Sequence, residues 1–274
     1  MHYIGVRGHR GAGKQTVAYL LGCTIDRIIK WKNSDSILSD EEFDKFFRDR
    51  CDEIIKNENI VDEVNLDKVY FDSFGSGPKT FVSLLLGIDT QMTYSDYYKD
   101  HTIVNLRDFS YTIYQSIPDN IKCLDSEELY ELFNNNGEPS VILKNTYTTL
   151  REFIMYFGKE VMQRYFGLNV WVKTLRVNEN RYGNSYNDIN YYTIYTDIKF
   201  PSEVTYIKDK NGIIIKVSRP KGKKKGTDRL SQDERYDYEI VIGDNLYDLK
   251  NNIFDIANEI VTNNLNQNGS KEEN

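Results

Sequence analysis

Close to the amino terminus stand the groups best suited to hold a phosphate: Gly8, Gly11, Gly13, Lys14, Gln15 and Thr16, spaced as G-x-x-G-x-G-K-x-T. Glycines at this spacing let successive backbone N–H groups converge on an anion, and the free amides at the start of a following helix add to the field. Lys14 supplies a mobile cation for a bridging or terminal phosphate, and Thr16 a hydroxyl beside Mg2+. The strict form of such a loop has Ser or Thr directly after the lysine, where this chain has Gln15. Thr16 or water then completes the magnesium shell. The flanks fit the reading: Tyr3, Ile4 and Val6 predict a strand before the turn, and Val17, Ala18, Leu20 and Leu21 a helix after it. An ordinary glycine-rich turn between strand and helix is the plainer alternative.

The elements that must position this loop fit one domain. A chain of 274 residues, 39% hydrophobic and 28% charged, has room for one α/β domain with an inserted region and needs no second core. The formal charge of −7 argues against a nucleic-acid backbone as partner, so no direct nucleic-acid binding is expected. Cys23, Cys51 and Cys123 are odd in number and widely spaced, which suits reduced thiols in a cytoplasmic setting better than disulfides or zinc. No uninterrupted apolar run approaches ~18 residues, and neither membrane insertion nor secretion is expected.

Along the chain, Ser39 and Glu42 predict a capped helix whose Phe43, Phe46, Phe47, Cys51, Ile54 and Ile55 form an apolar face. A short strand near residues 69–74 is followed by a helix that Gly87 ends. Residues 88–146, rich in Tyr, Asp and Asn, read as a substrate-side insertion, with a brief helix at Leu129, Leu132 and Phe133. Thr149 caps a helix carrying Arg151; Gly158 marks a kink or a tight packing site. The run 191–198 reads as a central strand with Asp197 at its carboxyl end, where ligands collect in an open α/β sheet. Pro201 and Glu203 fit the first turn of the next helix. Further strands are predicted at 213–217 and 238–242, a mobile charged loop at 221–237, a last helix from Leu246 to Val261 and a disordered tail at 263–274. The folded domain thus spans 1–262.

In this order the blocks resemble the phage-type deoxynucleoside monophosphate kinase family. The resemblance runs from Gly8-HRGAGKQT through the 149–176 block TLREFIMYFGKEVMQRYFGLNVWVKTLR to Asp197-IKFPSE, IIIKVSRP and YDYEIVIGDN. It implies an α/β fold, a three-layer P-loop kinase core with a mostly parallel sheet and an inserted substrate-binding region. It also implies an activity: the γ-phosphate of ATP passes, with Mg2+, to a deoxynucleoside 5′-monophosphate in the cytoplasm of an infected bacterium. Lys14 and Thr16 match the family's donor loop. Arg151, Gly158, Glu160 and Trp171 match its block of R, L-G-T-E and W-V, with Lys159 in place of the threonine. Asp197 and Glu203 match D-x-R-F-P-x-E, with Lys199 in place of the arginine; lysine keeps the charge but not the planar fork. Arg219 matches an R-P turn, and Lys79 a Pro-Leu-Lys segment whose proline is displaced.

On that resemblance Arg151 addresses the acceptor phosphate, Lys199 and Arg219 are closing charges, and Lys79, Lys159 and Glu203 belong to the substrate side. Asp197 either holds magnesium through water or positions the acceptor sugar or nearby basic groups. Trp171 either stacks on the acceptor base or packs internally. A dephospho-coenzyme A kinase or a sugar or shikimate-type kinase shares the front end, and a noncatalytic nucleotide-binding module shares the loop alone. Whether an apolar helix face serves a monomer core or a homodimer stays open.

Overall fold

A strand covered on both faces must be apolar through its centre, and Tyr3, Ile4 and Val6 satisfy this between His2 and Arg7, with Gly5 lacking a side chain. The structure is a computed structural model that describes residues 1–9, 11–34, 39–56, 66–135, 146–167, 169–173, 191–219 and 235–269, with the backbone alone at 126, 133–135 and 265–269. In chain order its elements are β1 (His2–Arg7), α1 (Lys14–Lys32), α2 (Asp40–Lys56), β2 (Val69–Asp72), α3 (Ser76–Leu86), α4 (Thr90–Tyr94), α5 (Asp96–His101), β3 (Thr102–Asn105), β4 (Tyr111–Ile113) and β5 (Cys123–Leu124). There follow α6 (Ser126–Asn135), β6 (Tyr147–Thr149), α7 (Leu150–Tyr156), β7 (Tyr192–Ile198), α8 (Pro201–Asp209), β8 (Ile213–Ser218), β9 (Tyr238–Val241) and α9 (Lys250–Gly269). A π-helical segment, Phe157–Gln163, continues α7, and a 3-10 turn, Leu246–Leu249, leads into α9.

The chain divides into two compact units, Met1–Phe74 with Asn180–Asn274, and Gly75–Glu179. The first is α/β. Its five strands are all parallel in the order β2-β7-β1-β8-β9, which places β1 between β7 and β8. Alternate residues of β1 face opposite layers. Ile4 and Val6 enter a core with Val17, Leu20, Leu21 and Ile25 of α1, Phe43 and Phe47 of α2, and Ile253 and Ala257 of α9. On the other face Tyr3 stacks with Tyr195 at 6.5 Å and meets Tyr206 of α8 edge-on. A Cβ at Gly5 would lie 2.1 Å from Ile198 Cδ1 and 2.6 Å from Ile207 Cδ1, so the missing side chain is what lets α8 seat against this face. Helices thus cover both sides of the sheet.

Local signals set the helix boundaries as expected. Ser39 and Glu42 exchange capping bonds at the start of α2, and Thr149 Oγ1 accepts the Glu152 N–H at the start of α7. Gly87 ends α3 in the left-handed region at φ 64°. Burial raises the Cys23 and Cys51 thiols to about 12 and about 11, which keeps both protonated and unreactive.

The second unit has its own core, formed by Val82, Leu86, Ile88, Val104, Leu106, Leu129, Leu150 and Phe153. Its four-stranded sheet has the order β4-β3-β6-β5, antiparallel except for β5 with β6. The insertion expected at 88–146 falls inside this unit, which also takes α3 and the 149–176 block. Those segments were expected to belong to the kinase body; their apolar faces pack instead against the short strands between them. The tail was expected to begin at residue 263; α9 continues to Gly269, and Ile260 and Val261 within it are each 1% exposed. Residues 221–234 of the expected mobile loop, and 270–274, lie outside the described residues. Among the described residues no helix is long and apolar enough to cross a membrane.

Phe47 is 1% exposed at the junction of α1, α2 and α9. Phe47→Ala should lower the unfolding free energy by about 3–5 kcal/mol, read as a reduced urea midpoint at unchanged slope.

Candidate functional site

The parallel sheet brings three strand ends to one edge: Gly8 follows β1, Asp197 stands at the end of β7, and Arg219 follows β8. The glycine turn begins where β1 leaves the sheet. A Cβ on Gly8 would stand 2.4 Å from the Val217 carbonyl oxygen, so only glycine lets the turn pass this close to β8. The turn closes with the Ala12 N–H on the His9 carbonyl at 3.1 Å. Gly13, at φ 91°, then starts α1 from the left-handed region, with Ile242 Cδ1 only 2.5 Å from where a Cβ would project.

The first intrahelical bond of α1 runs from the Val17 N–H to the Gly13 carbonyl, so the amides of Lys14, Gln15 and Thr16 precede the ladder. Neither an acidic residue in the first turn nor, among the described residues, a capping side chain offsets the positive end of this 19-residue helix. Thr16 is half-buried in that turn and Gln15 is exposed.

The Lys14 ammonium bends back over the turn, 3.1 Å from the carbonyl oxygens of both Gly8 and His9. It also lies 3.5 Å from Asp197 Oδ1, while Lys199 Nζ takes Asp197 Oδ2 at 2.5 Å. One carboxylate therefore holds two ammonium groups beside the open end of α1. The Arg219 guanidinium is exposed and lies near the turn, its Nη2 3.7 Å from the position of a Cβ on Gly13. Among the described residues this edge gathers Lys14, Lys199 and Arg219 around one carboxylate, a net positive charge that suits an anion.

Glu203 differs from the expected substrate contact. It is 5% exposed, and its Oε2 accepts the backbone N–H groups of Lys199 and Phe200 at 2.6 and 3.0 Å. Pro201 opens α8 without an N–H, so the buried carboxylate spends its acceptors on the two amides just before it and fixes the turn that carries Lys199. Burial pushes the Glu203 carboxyl up to about 7, against the lowering effect of those two amides and of Lys199.

The other expected substrate residues lie in the second unit. Arg151 is clamped: Nε donates to Asp100 Oδ1 at 2.5 Å, and Nη2 donates to Asp100 Oδ2 at 2.9 Å and to Asp96 Oδ1 at 3.0 Å. The Asp100 bonds chiefly hold the guanidinium in its charged form, against the opposing effect of burial. Lys99 pairs with Asp96 at 2.7 Å, and Lys99 first, then Arg151, hold the Asp96 carboxyl down at about 2. Lys159 is exposed and paired with Glu160. Lys79 places its ammonium 3.9 Å from the centre of the Tyr94 ring.

Trp171 is a packing residue. The indole is 6% exposed and donates to the Gly158 carbonyl at 2.9 Å, so neither ring face is open to a base. Gly158 itself leaves room for Pro78, whose Cβ and Cγ lie 3.1 and 3.2 Å from where a Cβ would stand. The tight-packing alternative for this glycine therefore holds, within a π-helical segment.

The sequence reading missed Arg7, 4% exposed and directly before Gly8, and it missed Asp96 and Asp100. The i, i+4 spacing of these two acids on α5 was a usable signal; their arginine lies more than fifty residues away and was not. Among the described residues no group of three or more His, Cys, Asp or Glu side chains is gathered as a metal cluster. Mg2+ characteristically takes one or two protein oxygens and completes its shell with water and substrate phosphates; Thr16 has a half-buried hydroxyl in the first turn of α1, and both Asp197 oxygens face ammonium groups. Neither any protein-family sequence model nor any curated protein sequence matches this chain.

The Glu203 carboxyl binds more protons in the folded than in the unfolded chain between its ordinary value of 4.5 and about 7. Its contribution therefore makes stability fall as pH rises through that window. Glu203→Gln keeps an oxygen for the two amides and removes the titration. Urea unfolding at pH 4.5 and pH 8 should show the variant gaining on the wild type at the higher pH.

Proposed function

We propose that the protein is an ATP-dependent deoxynucleoside monophosphate kinase built on a P-loop. The observation that carries this reading is the Lys14–Asp197–Lys199 cluster beside the uncapped start of α1. The order of sequence blocks that resemble the phage-type family supports the choice of acceptor.

On this reading the turn amides and Lys14 take the donor phosphates of ATP, with Thr16 toward the magnesium that ATP brings. Bound with ATP, Mg2+ would supply charge neutralisation on the donor phosphates. An oxygen of the acceptor 5′-phosphate attacks the γ-phosphorus, the bond from that phosphorus to the β,γ-bridging oxygen breaks, and ADP leaves with the electron pair. The attacking oxygen is already anionic at pH 7, so no strong general base is required. The protein aligns the two anions, offsets their repulsion and stabilises the equatorial oxygens in flight. Lys14 starts on the loop carbonyls and Asp197, and moves to phosphate when ATP arrives. Asp197 keeps Lys199 in reach as that happens, and Arg219 adds a closing charge. Arg151 addresses the acceptor phosphate.

A small-alcohol kinase shares the loop but needs a carboxylate to accept or orient a hydroxyl proton. Asp197 has both oxygens on ammonium groups, which favours phosphate as acceptor. Incubation with Mg-ATP and separate panels of deoxynucleoside monophosphates, ribonucleoside monophosphates, dephospho-coenzyme A and small alcohols should release ADP with the first panel above all. Equal turnover of both sugars would overturn the deoxy preference, and turnover of alcohols alone would overturn the acceptor class.

Lys14→Ala should leave the circular dichroism spectrum intact and cut phosphoryl transfer at least ~100-fold, because it removes a charge that follows the moving phosphoryl group. Near-normal initial rates at saturating Mg-ATP would sink the donor-loop assignment. Asp197→Asn should lower turnover with a defect that changes across free magnesium concentrations.

A further inference from the structure

Arg151 has five N–H donors in a fixed fork. Three of them are directed at carboxylates: the one on Nε to Asp100, and the two on Nη2 to Asp100 and Asp96. The Nη1 pair makes no bond to any described residue. The Arg151 side chain is 19% exposed, whereas those of Asp96 and Asp100 are 76% and 51% exposed. The arginine is thus gripped along one edge from α5 and leaves the opposite corner for a ligand. An arginine side chain otherwise loses much rotamer freedom when it grips an anion, and a fork already held by two acids has lost it beforehand.

We infer that Asp100, assisted by Asp96, is a positioning residue that presents the Nη1 corner of Arg151 to the acceptor's phosphate. This inference rests on the proposed monophosphate kinase activity and deepens it by naming the groups that orient the acceptor contact. The charges around the fork set up a decisive contrast. Arg151 and Lys99 are balanced by Asp96 and Asp100, so the cluster offers little long-range pull on an anion. If charge alone governed acceptor binding, neutralising Asp100 would strengthen it. If the carboxylate orients the fork, the same change weakens binding, because an amide has a single oxygen and cannot accept from Nε and Nη2 in parallel.

The test uses the full chain and two readouts: calorimetric binding of a deoxynucleoside monophosphate without ATP, and steady-state kinetics in both substrates. Asp100→Asn should raise the acceptor Kd and KM by about 10-fold or more, leave the KM for ATP unchanged, and change kcat far less. Asp96→Asn, which removes one bond from the same fork, should act in the same direction and more weakly. In an Arg151→Ala background both substitutions should lose their effect, since the group they orient is gone. Thermal melts of every variant identify any loss of folded protein; Asp96→Asn carries the test if Asp100→Asn is poorly folded.

Tighter acceptor binding in Asp100→Asn, unchanged binding, or an equal defect with and without Arg151 would overturn the positioning role while wild-type turnover leaves the kinase reading standing. A wild type that neither binds nor phosphorylates any monophosphate would overturn the kinase reading, and this inference with it.

Discussion

Everything proposed for the candidate site depends on β1 having a parallel neighbour on each side. Because β7 and β8 run with it, all three carboxyl ends reach the same sheet edge, and the turns that follow them share a small space. Antiparallel pairing would have carried Asp197 and Arg219 to the opposite end of the strands. Parallel pairing also demands burial on both faces, which explains the apolar density of β1, β7 and β8 and the helices on either side. The contacts at Gly5 and Gly8 are the local cost of this arrangement: one gives α8 its seat, the other lets the turn slip past the Val217 carbonyl.

Within that frame, electrostatics arranges a cationic edge that still folds. Two lysines beside the positive end of α1 would repel each other and the helix. Asp197 lies between them with an oxygen toward each, and the buried Glu203 holds the Lys199 turn from behind through backbone amides. Such half-exposed pairs contribute little to folding, on the order of 0–1 kcal/mol each, so their value lies in placement. On the proposed reading a phosphate replaces Asp197 as the partner of either lysine, and Asp197 keeps contact with solvent. Lysine at position 199 suits this exchange: a compact ammonium on a flexible stem changes partner more readily than a planar fork.

The second unit treats charge differently. There an arginine is gripped by two acids from one short helix, and the grip is bidentate. The contrast between two lysines sharing one carboxylate on the first unit and a bidentate-held guanidinium on the second follows from side-chain chemistry. It is consistent with the proposed division of labour, in which donor phosphates are followed through a reaction and an acceptor phosphate is oriented once.

Much of the first unit was legible in the residues alone. The apolar strand, glycine turn and helix at the start, the cap at Ser39 and the strand ending at Asp197, like the Thr149 cap in the second unit, all rest on short-range chemistry between residues a few positions apart. The same holds for the glycine turn's amides and for the position of Lys14, whose ammonium folds back onto the Gly8 and His9 carbonyls. The four strands of the second unit were not legible, because each spans only two to four residues, too few for an alternating pattern to stand out. Tertiary structure alone decided the fates of three side chains: Trp171 was drawn inward by the Gly158 carbonyl, Glu203 turned onto backbone amides, and Arg151 was taken by Asp96 and Asp100. A residue's chemical capacity is written in its type, but which partner uses that capacity depends on burial and on contacts between segments far apart in the chain, and those exist only once the chain has folded.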